Sequence, residues 1–391
     1  MKSELAYALI TPYSLFKSRT GGIISRLLAS PELEFVGVRM FVFSDDFIDS
    51  YKKLMPDEEM DMNTRDAWND YLDNHLRRKN FYGMLPRCML LFFKGKNAIR
   101  HIKDNVIGSF TSMPVGNTIR GTFGDMIRDK EGVIHYMEPA VMTGVTREKN
   151  TEHLKLFSQY AKRDGGVLTG MIDYESKPET SLVILKPDNF YTPSRKPGNI
   201  IDTFSMTGLR IVGAKLFSMT VAQAEEFYGQ LKNLFKDTLK SNVSNVVYER
   251  LNHSFEFEIT RQDADIIAER LAGKNAMFEF RRIVEYMTGI DPKKIREDEK
   301  KTASKAHSLA LLYEGVDAIS KIRSVLGETN PQKAAPGTVR SDFGNDLMRN
   351  GAHASDSPEN AAREMNIIGM HEDENEDCDI TRIIEDYLAV M

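Results

Sequence analysis

The chain has 391 residues, 41% of them hydrophobic, so it is long enough to form two or more hydrophobic cores. Lys and Arg number 52 against 57 Asp and Glu, and the net charge of −5 excludes the overall basic character of many nucleic-acid-binding proteins. Only two cysteines occur, no apolar run approaches the roughly 20 residues that cross a bilayer, and no secretory signal is recognisable at the start. We therefore expect a soluble, cytoplasmic protein with no nucleic-acid partner and no membrane partner.

The first half contains short apolar runs that resemble strands, at residues 7–12, 35–41 and 88–95. Helical stretches separate them, and this alternation predicts a sheet with helices packed on it. Residues 145–180 contain polar connections around a short helix, and we place the boundary between the halves near residues 150–178.

The second half repeats the order of these runs at residues 183–187, 211–217 and 308–315, and residues 337–343 parallel residues 117–123, so the chain is a weak tandem repeat. The span from Tyr228 to Ser308 is longer than a simple connection needs, which indicates an insertion at about residues 237–305. Helical spacing of apolar residues in this span predicts a helical subdomain with helices at residues 263–272 and 276–287.

Ser357 followed by Pro358 has the form of a helix N-cap with proline at the first helical position, and it predicts a helix over residues 358–365. A helix N-terminus attracts anions, so a histidine just before it, His353, is suited to attack a phosphate. An acidic stretch at residues 372–377 follows, and apolar residues between Ile380 and Leu388 predict a short amphipathic helix that docks on a neighbouring surface.

Residues 350–357 read NGAHASDS, and they resemble the segment N-x-x-H-[GA]-S-D-S around the active-site histidine of the nucleoside diphosphate kinase family. Four further segments resemble motifs of that family in the same order: SLVILKPD at 181–188, GLRIVGAK at 208–215, GETNP at 327–331 and PGTVRSDF at 336–343. The resemblance implies an α/β (α+β) fold of two tandem ferredoxin-like βαββαβ sandwich units, the second with the helical insertion.

The same resemblance divides the chain into a degenerate kinase-like domain (residues 1–150), a linker (151–178), a catalytic domain (179–366) and an acidic tail with a short helix (367–391). It also implies the activity: transfer of the terminal phosphate of ATP or another nucleoside triphosphate to a nucleoside diphosphate, through a phosphohistidine at His353. Glu364 would accept a hydrogen bond from the other ring nitrogen and orient the imidazole. The nucleotide- and phosphate-binding residues implied by the resemblance are Lys186, Tyr228, Arg323, Thr329, Arg340 and Asn350. Mg²⁺ is the implied cofactor, bridging the phosphates with no direct protein ligand and reaching Asp356 at most through water.

The first half retains less of this set, because Thr11, Lys103 and Ser109 stand where Lys186, Arg323 and Thr329 do. Arg120 corresponds to Arg340, but counting onward from it reaches Val133 instead of a histidine. His135 comes two residues later, and a two-residue insertion would bring it into register. We predict that this half is catalytically silent and serves as a built-in dimer partner or a regulatory lobe.

Two other interpretations remain open. A nucleotide-binding regulatory pseudo-enzyme would bind nucleotide without efficient turnover, and a phosphodonor to other proteins would use the same His353. A phosphate-binding loop of the G-x-x-x-x-G-K-[ST] type does not occur in the sequence. The two-lobed chain would form an intramolecular pseudo-dimer, which can assemble further into a homo-oligomer.

Overall fold

The computed structural model describes residues 3–54, 61–108, 116–238, 240–370 and 379–391. Ser109 and the acidic stretch at 372–377 lie outside these residues. The chain divides into two compact units: one comprises the residues up to Leu216 together with those from Leu309 onward, and the other is Phe217–Ser308. Both halves of the tandem repeat contribute their sheets to the first unit.

In the first half, strands β1, β2, β3 and β6 form one antiparallel sheet in the order β2-β3-β1-β6, and β4 and β5 pair separately as a hairpin. The strands are β1 (Glu4–Ile10), β2 (Glu34–Phe41), β3 (Cys88–Gly95), β4 (Asp125–Arg128), β5 (Ile134–Glu138) and β6 (Val141–Met142). The helices are α1 (Pro12–Phe16), α2 (Thr20–Leu27), α3 (Asp45–Lys53), α4 (Met62–Tyr71), α5 (Ala98–His101), α6 (Ile119–Phe123) and α7 (Arg147–Asp164), with π-helical turns at Leu72–Leu76 and Ile102–Ile107.

The second half forms a second sheet in the order β10-β7-β9-β8. Its strands are β7 (Glu179–Leu185), β8 (Arg210–Phe217), β9 (Ser308–Gly315) and β10 (Ala352–Ala354). The helices are α8 (Lys196–Ser205), α9 (Val221–Phe227), α10 (Leu231–Thr238), α11 (Lys240–Ser254), α12 (Arg261–Thr288), α13 (Ala318–Leu326), α14 (Val339–Phe343), α15 (Pro358–Ile367) and α16 (Asp379–Ala389), with 3₁₀ turns at Pro187–Asn189 and Glu297–Lys301.

The two four-stranded sheets share one topology. Counting the sheet strands of each half in chain order gives the spatial order 4-1-3-2, with helices on the crossovers, which is the ferredoxin-like βαββαβ arrangement. The first strand of each half is central, and both central strands read as continuous buried apolar runs because helices cover the sheet. The predicted fold class is confirmed.

The first half does not end near residue 150 as the sequence pattern suggested. Helix α7 continues to Asp164 and buries Leu154, Phe157 and Tyr160 in the core of the first half. The connecting segment therefore begins after Asp164. The polar residues of this helix suggested a connection, but they form its outer face while the apolar residues pack inward.

The C-terminal helix α16 belongs to the same core, although it follows the second half in sequence. Ile380, Ile384 and Tyr387 are buried there. This confirms the amphipathic helix predicted from the spacing of the apolar residues, and it identifies the surface on which the helix docks as the first half.

The two halves also pack directly against each other. Helices α2 and α8 cross at Gly21 and Gly198, where a Cβ on either glycine would overlap backbone atoms of the opposite helix. The connecting segment adds a second contact, because Gly166 N–H donates to the Met40 carbonyl of β2 at 2.9 Å and Leu168 N–H donates to the Val212 carbonyl of β8 at 2.8 Å. It thereby pairs with the edge strands of both sheets.

The second unit consists mainly of helices, as predicted for the insertion. The two predicted helices at residues 263–272 and 276–287 form one continuous helix, α12. Gly273 disfavours a helix by about 1 kcal/mol relative to alanine. Buried residues nevertheless recur at every fourth position from Ala264 to Val284, so the packed face of the helix continues past Gly273.

Candidate active site

His353 is the middle residue of strand β10 and lies opposite Ile184 of β7. Gly351, just before the strand, has φ 84°, a left-handed conformation that favours glycine. Four residues after His353, the Ser357 side chain accepts from Asn360 N–H at 3.1 Å and caps helix α15, with Pro358 at its first position. The predicted cap and helix are confirmed, and the turn between strand and helix brings residue 364 back beside residue 353.

The His353 imidazole is held by a buried carboxylate. Its Nε2 lies 2.9 Å from Glu364 Oε2, which also accepts from the Ser355 hydroxyl at 2.6 Å. Glu364 and Ser355 are 5% and 0% exposed, so this contact is shielded from water. A carboxylate at Nε2 favours the tautomer with the proton on that nitrogen and gives Nδ1 the lone pair. The sequence motif includes Ser355 without indicating its role. Its position between His353 and the helix cap Ser357 was the only sign in the sequence that it contributes to the site.

Lys186 follows strand β7 and reaches the loop before His353. Its Nζ donates to Asn350 Oδ1 at 2.6 Å and to the Met348 carbonyl at 2.9 Å. The side chain as a whole is half-buried, but enclosure of the ammonium group and, to a smaller extent, the positive charge of Arg340 together lower the pKa of Lys186 to about 7. Asn350, 1% exposed, donates in turn to the Thr329 carbonyl at 3.0 Å.

Arg340 extends this group of polar side chains. Its Nη1 donates to the Gly327 carbonyl at 3.0 Å and lies 3.4 Å from the Thr329 hydroxyl. Burial lowers the pKa of Arg340 to about 10, and the nearby charge of Arg323, in the last turn of α13, acts in the same direction. Cations that lie this close together are suited to share an anionic ligand, because a phosphate would relieve their repulsion.

The structure therefore connects Lys186, Asn350, Thr329 and Arg340 through hydrogen bonds, with Arg323 beside them and His353 three residues from Asn350. The other two predicted residues are placed differently. Tyr228 caps the end of helix α9, is 8% exposed and belongs to the helical unit. Asp356 is exposed and accepts from Asn360 Nδ2 at 2.7 Å.

Sequence comparison connects this site to known proteins. The sequence model described as nucleoside diphosphate kinase matches residues 179–253 and 259–373, which include every predicted site residue. A nucleoside diphosphate kinase of Methanobrevibacter smithii is 31% identical over 202 residues, which are 52% of this chain and 93% of that protein. The chain belongs to the nucleoside diphosphate kinase family.

Other members of the nucleoside diphosphate kinase family match over a shorter region or at lower sequence identity. The nucleoside diphosphate kinase of Methanoregula boonei is 56% identical over 61 residues, 16% of this chain and 39% of that protein. The crystal structure of nucleoside diphosphate kinase from Encephalitozoon cuniculi is 24% identical, with a TM-score of 0.32, and the match covers 50% of this chain and 90% of that one. Within the part of the chain that the structure describes, no helix is long and apolar enough to cross a membrane.

The first half lies outside the kinase-family match, and strand register shows which residues replace the site there. Thr11 N–H bonds to the Ala140 carbonyl as Lys186 N–H bonds to the Gly351 carbonyl. Strand β6 follows Ala140 and pairs with β1, and strand β10 follows Gly351 and pairs with β7 in the same register. Met142 therefore occupies the position of His353 in the kinase-like half.

The interpretation of His135 as a displaced counterpart of His353 is wrong. His135 lies in β5 of the extra hairpin, with a side chain 60% exposed and Nε2 2.8 Å from Asp129 Oδ2. The hairpin occupies the connection between α6 and β6, which in the second half is short. Counting residues from Arg120 could not detect it, because the count assumed equal loop lengths.

The counterpart of Glu364 in the first half is also changed. Helix α7 begins after its cap Thr146 as α15 begins after Ser357, so the residue seven positions after each cap is His153 in one half and Glu364 in the other. His153 is 2% exposed, and its Nδ1 lies 2.8 Å from the Tyr7 hydroxyl. Burial lowers the pKa of His153 to about 3, so the ring is neutral and structural.

Proposed function

We propose that this protein is a nucleoside diphosphate kinase that works through a phosphohistidine at His353. The single observation that carries the proposal is the contact between His353 Nε2 and the buried Glu364 carboxylate, in the half of the chain that also contains Lys186, Arg323 and Arg340. Kinship with the family supports the reaction class, and the geometry supports the role of each residue.

In the first step, the Nδ1 lone pair of His353 attacks the terminal phosphorus of a nucleoside triphosphate. The N–P bond forms as the bond between phosphorus and the bridging oxygen breaks, and the nucleoside diphosphate leaves with that electron pair. The ring gains positive charge, which the Glu364 carboxylate stabilises through the Nε2 proton. In the second step, a terminal phosphate oxygen of another nucleoside diphosphate attacks phosphorus, and the N–P bond breaks to restore the neutral ring.

The phosphate groups would be held by Arg340 and Arg323, and Lys186 and Asn350 would face the sugar. Because the pKa of Lys186 is about 7 before a ligand binds, an anionic ligand beside it would favour the charged ammonium. Among the described residues, no group of three or more His, Cys, Asp or Glu side chains is arranged to hold a metal ion. Asp356 would contact Mg²⁺ through water, and Mg²⁺ would supply charge neutralisation at the phosphate groups.

The test is to incubate the protein with ATP and Mg²⁺, measure the intact mass for an acid-labile phosphate, and then add GDP. We expect the wild type to gain one phosphate and to release it as GTP, and His353→Gln to do neither while still binding ADP. Replacing a nucleophile typically lowers turnover by more than about a thousandfold. His135→Gln, on the exposed hairpin, is the matched control and should behave as wild type.

The regulatory interpretation gives a different result in the same experiment. Nucleotide would bind to the wild type with no phosphoprotein and no GTP. Unchanged turnover in His353→Gln would instead reject the covalent mechanism.

A further inference from the structure

A cleft between the two halves contains two arginine side chains that the proposed kinase reaction does not use. An outer cavity of about 230 Å³ is lined by Phe16, Tyr82, Arg87 and Arg210, among others. An inner cavity of about 50 Å³ shares Phe16, Arg87 and Arg210 with it and extends to Tyr313 of strand β9. Arg87 precedes β3 in the first half and Arg210 begins β8 in the second, so each half contributes one cation.

Neither arginine has a carboxylate partner within 4 Å among the described residues. Arg87 is 6% exposed, and among the described residues the only protein acceptor for its guanidinium is the Ile211 carbonyl, bonded to Nη1. A guanidinium has five N–H donors, and a buried charge usually has a partner. Arg210 lies with its guanidinium carbon 5.7 Å from the centroid of the Phe16 ring. Two buried or half-buried cations therefore meet at a cavity with most of their donors unused.

The charges around the cleft leave this positive character in place. Asp173 lines the outer cavity but is exposed, and the buried Glu314 accepts from Gly170 N–H at 2.9 Å. Burial and the charge of Arg210 lower the pKa of Arg87 to about 10, despite the opposing effects of Tyr174 and Glu314. Nearby negative groups therefore compensate the positive charge of Arg87 only in part.

A second observation independently indicates a ligand. Tyr313 is 2% exposed, lines the inner cavity, and has a hydroxyl with no hydrogen-bond partner. A buried hydroxyl without a partner costs about 1–3 kcal/mol, and such groups are rare in folded proteins. An acceptor oxygen in the inner cavity would satisfy this hydroxyl and the two guanidinium groups together.

We propose that this cleft binds a small organic anion, with a phosphate or carboxylate group held by Arg87 and Arg210 and an apolar or aromatic body against Phe16 and Tyr82. Arginine forms paired hydrogen bonds with both acid groups, so the two share one recognition chemistry. The two cavities share Phe16, Arg87 and Arg210 in their linings, so an acid group at the arginines can lie where the cavities meet while the body occupies the larger one. The inference is independent of the proposed function.

The test is calorimetric titration of the full chain with phenyl phosphate and with benzoate, using benzyl alcohol as the neutral probe. We expect saturable binding of at least one anion, and their relative affinities distinguish a phosphate site from a carboxylate site. Arg210→Gln should weaken binding by about 10- to 100-fold, the effect of losing a charge-assisted hydrogen-bonding group. Arg100→Gln removes the same charge from an exposed side chain of helix α5 and should leave binding unchanged.

Anion binding by Arg87→Gln is a second measurement, made at the buried arginine. If that variant does not fold, Arg210→Gln alone decides the test. Three results would overturn the proposal: no saturable binding of either anion into the millimolar range, wild-type affinity in Arg210→Gln, or equally tight binding of benzyl alcohol. Displacement by ADP would also overturn it, since the anion would then occupy the nucleotide site.

Discussion

Replacing Glu364 with glutamine removes one negative charge from the contact with His353 and preserves the shape of the side chain. The carboxylate Oε2 lies 2.9 Å from His353 Nε2 and 2.6 Å from the Ser355 hydroxyl, and the residue is 5% exposed. A hydrogen bond to a charged group contributes about 1.5–3 kcal/mol, and at about 1.4 kcal/mol per tenfold the change corresponds to a roughly 10- to 150-fold slower formation of the phosphoenzyme.

This loss should appear in the rate of phosphoryl transfer and not in nucleotide affinity, because Glu364 contacts the ring and not the cations that we propose to bind the nucleotide. The assay is rapid-quench measurement of phosphoenzyme formation from ATP, with ADP affinity measured by calorimetry. Glu359→Gln removes an exposed carboxylate from the same helix and is the matched control. A Glu364→Gln protein with the wild-type rate would refute the reasoning, since the buried charge would then have no part in stabilising the ring.

Three further predictions concern the first half. Burial raises the pKa of Glu138 from 4.5 to about 7, so the folded state loses stability as the pH rises from about 4.5 to 7. Glu138→Gln should therefore be more stable than wild type by up to about 3 kcal/mol at pH 8. The two proteins should be nearly equal in stability at pH 4.5. Ile384→Ala should lower the free energy of unfolding by about 2–5 kcal/mol, because Ile384 is 0% exposed in the core. Met142→His, made in the His353→Gln protein, should not restore phosphorylation, because the partner carboxylate is absent.

Urea denaturation at the two pH values measures the first of these effects, and an equal change in stability at both would show that ionisation of Glu138 is not its cause. For the C-terminal helix, Glu385→Ala replaces an exposed residue of α16 and should change stability by no more than about 0.5 kcal/mol. An equal loss in the two variants would contradict the docking of Ile384. The prediction for Met142→His in the His353→Gln protein is tested by measuring the intact mass after incubation with ATP. A phosphate on this double variant would contradict the prediction that the first half lacks the carboxylate needed for phosphorylation.

The sequence by itself determined the local features of this protein. The first three sheet strands of each half are short apolar runs, and the turn from His353 to the capped helix is encoded within a dozen consecutive residues by Gly351, Ser357 and Pro358. These features depend on backbone preferences and on the cap, which involve only neighbours in the chain, so motif and spacing were enough to predict them.

Tertiary structure decided the features that depend on residues far apart in sequence. The register of β6 against β1 placed Met142, and not His135, at the position equivalent to His353, because the hairpin changed the loop length. Packing made α7 part of the first core, and enclosure of the Lys186 ammonium lowered its pKa. The cleft with Arg87 and Arg210 arises only where the two halves meet. Burial and long-range pairing set these properties, and no local pattern of residues records them.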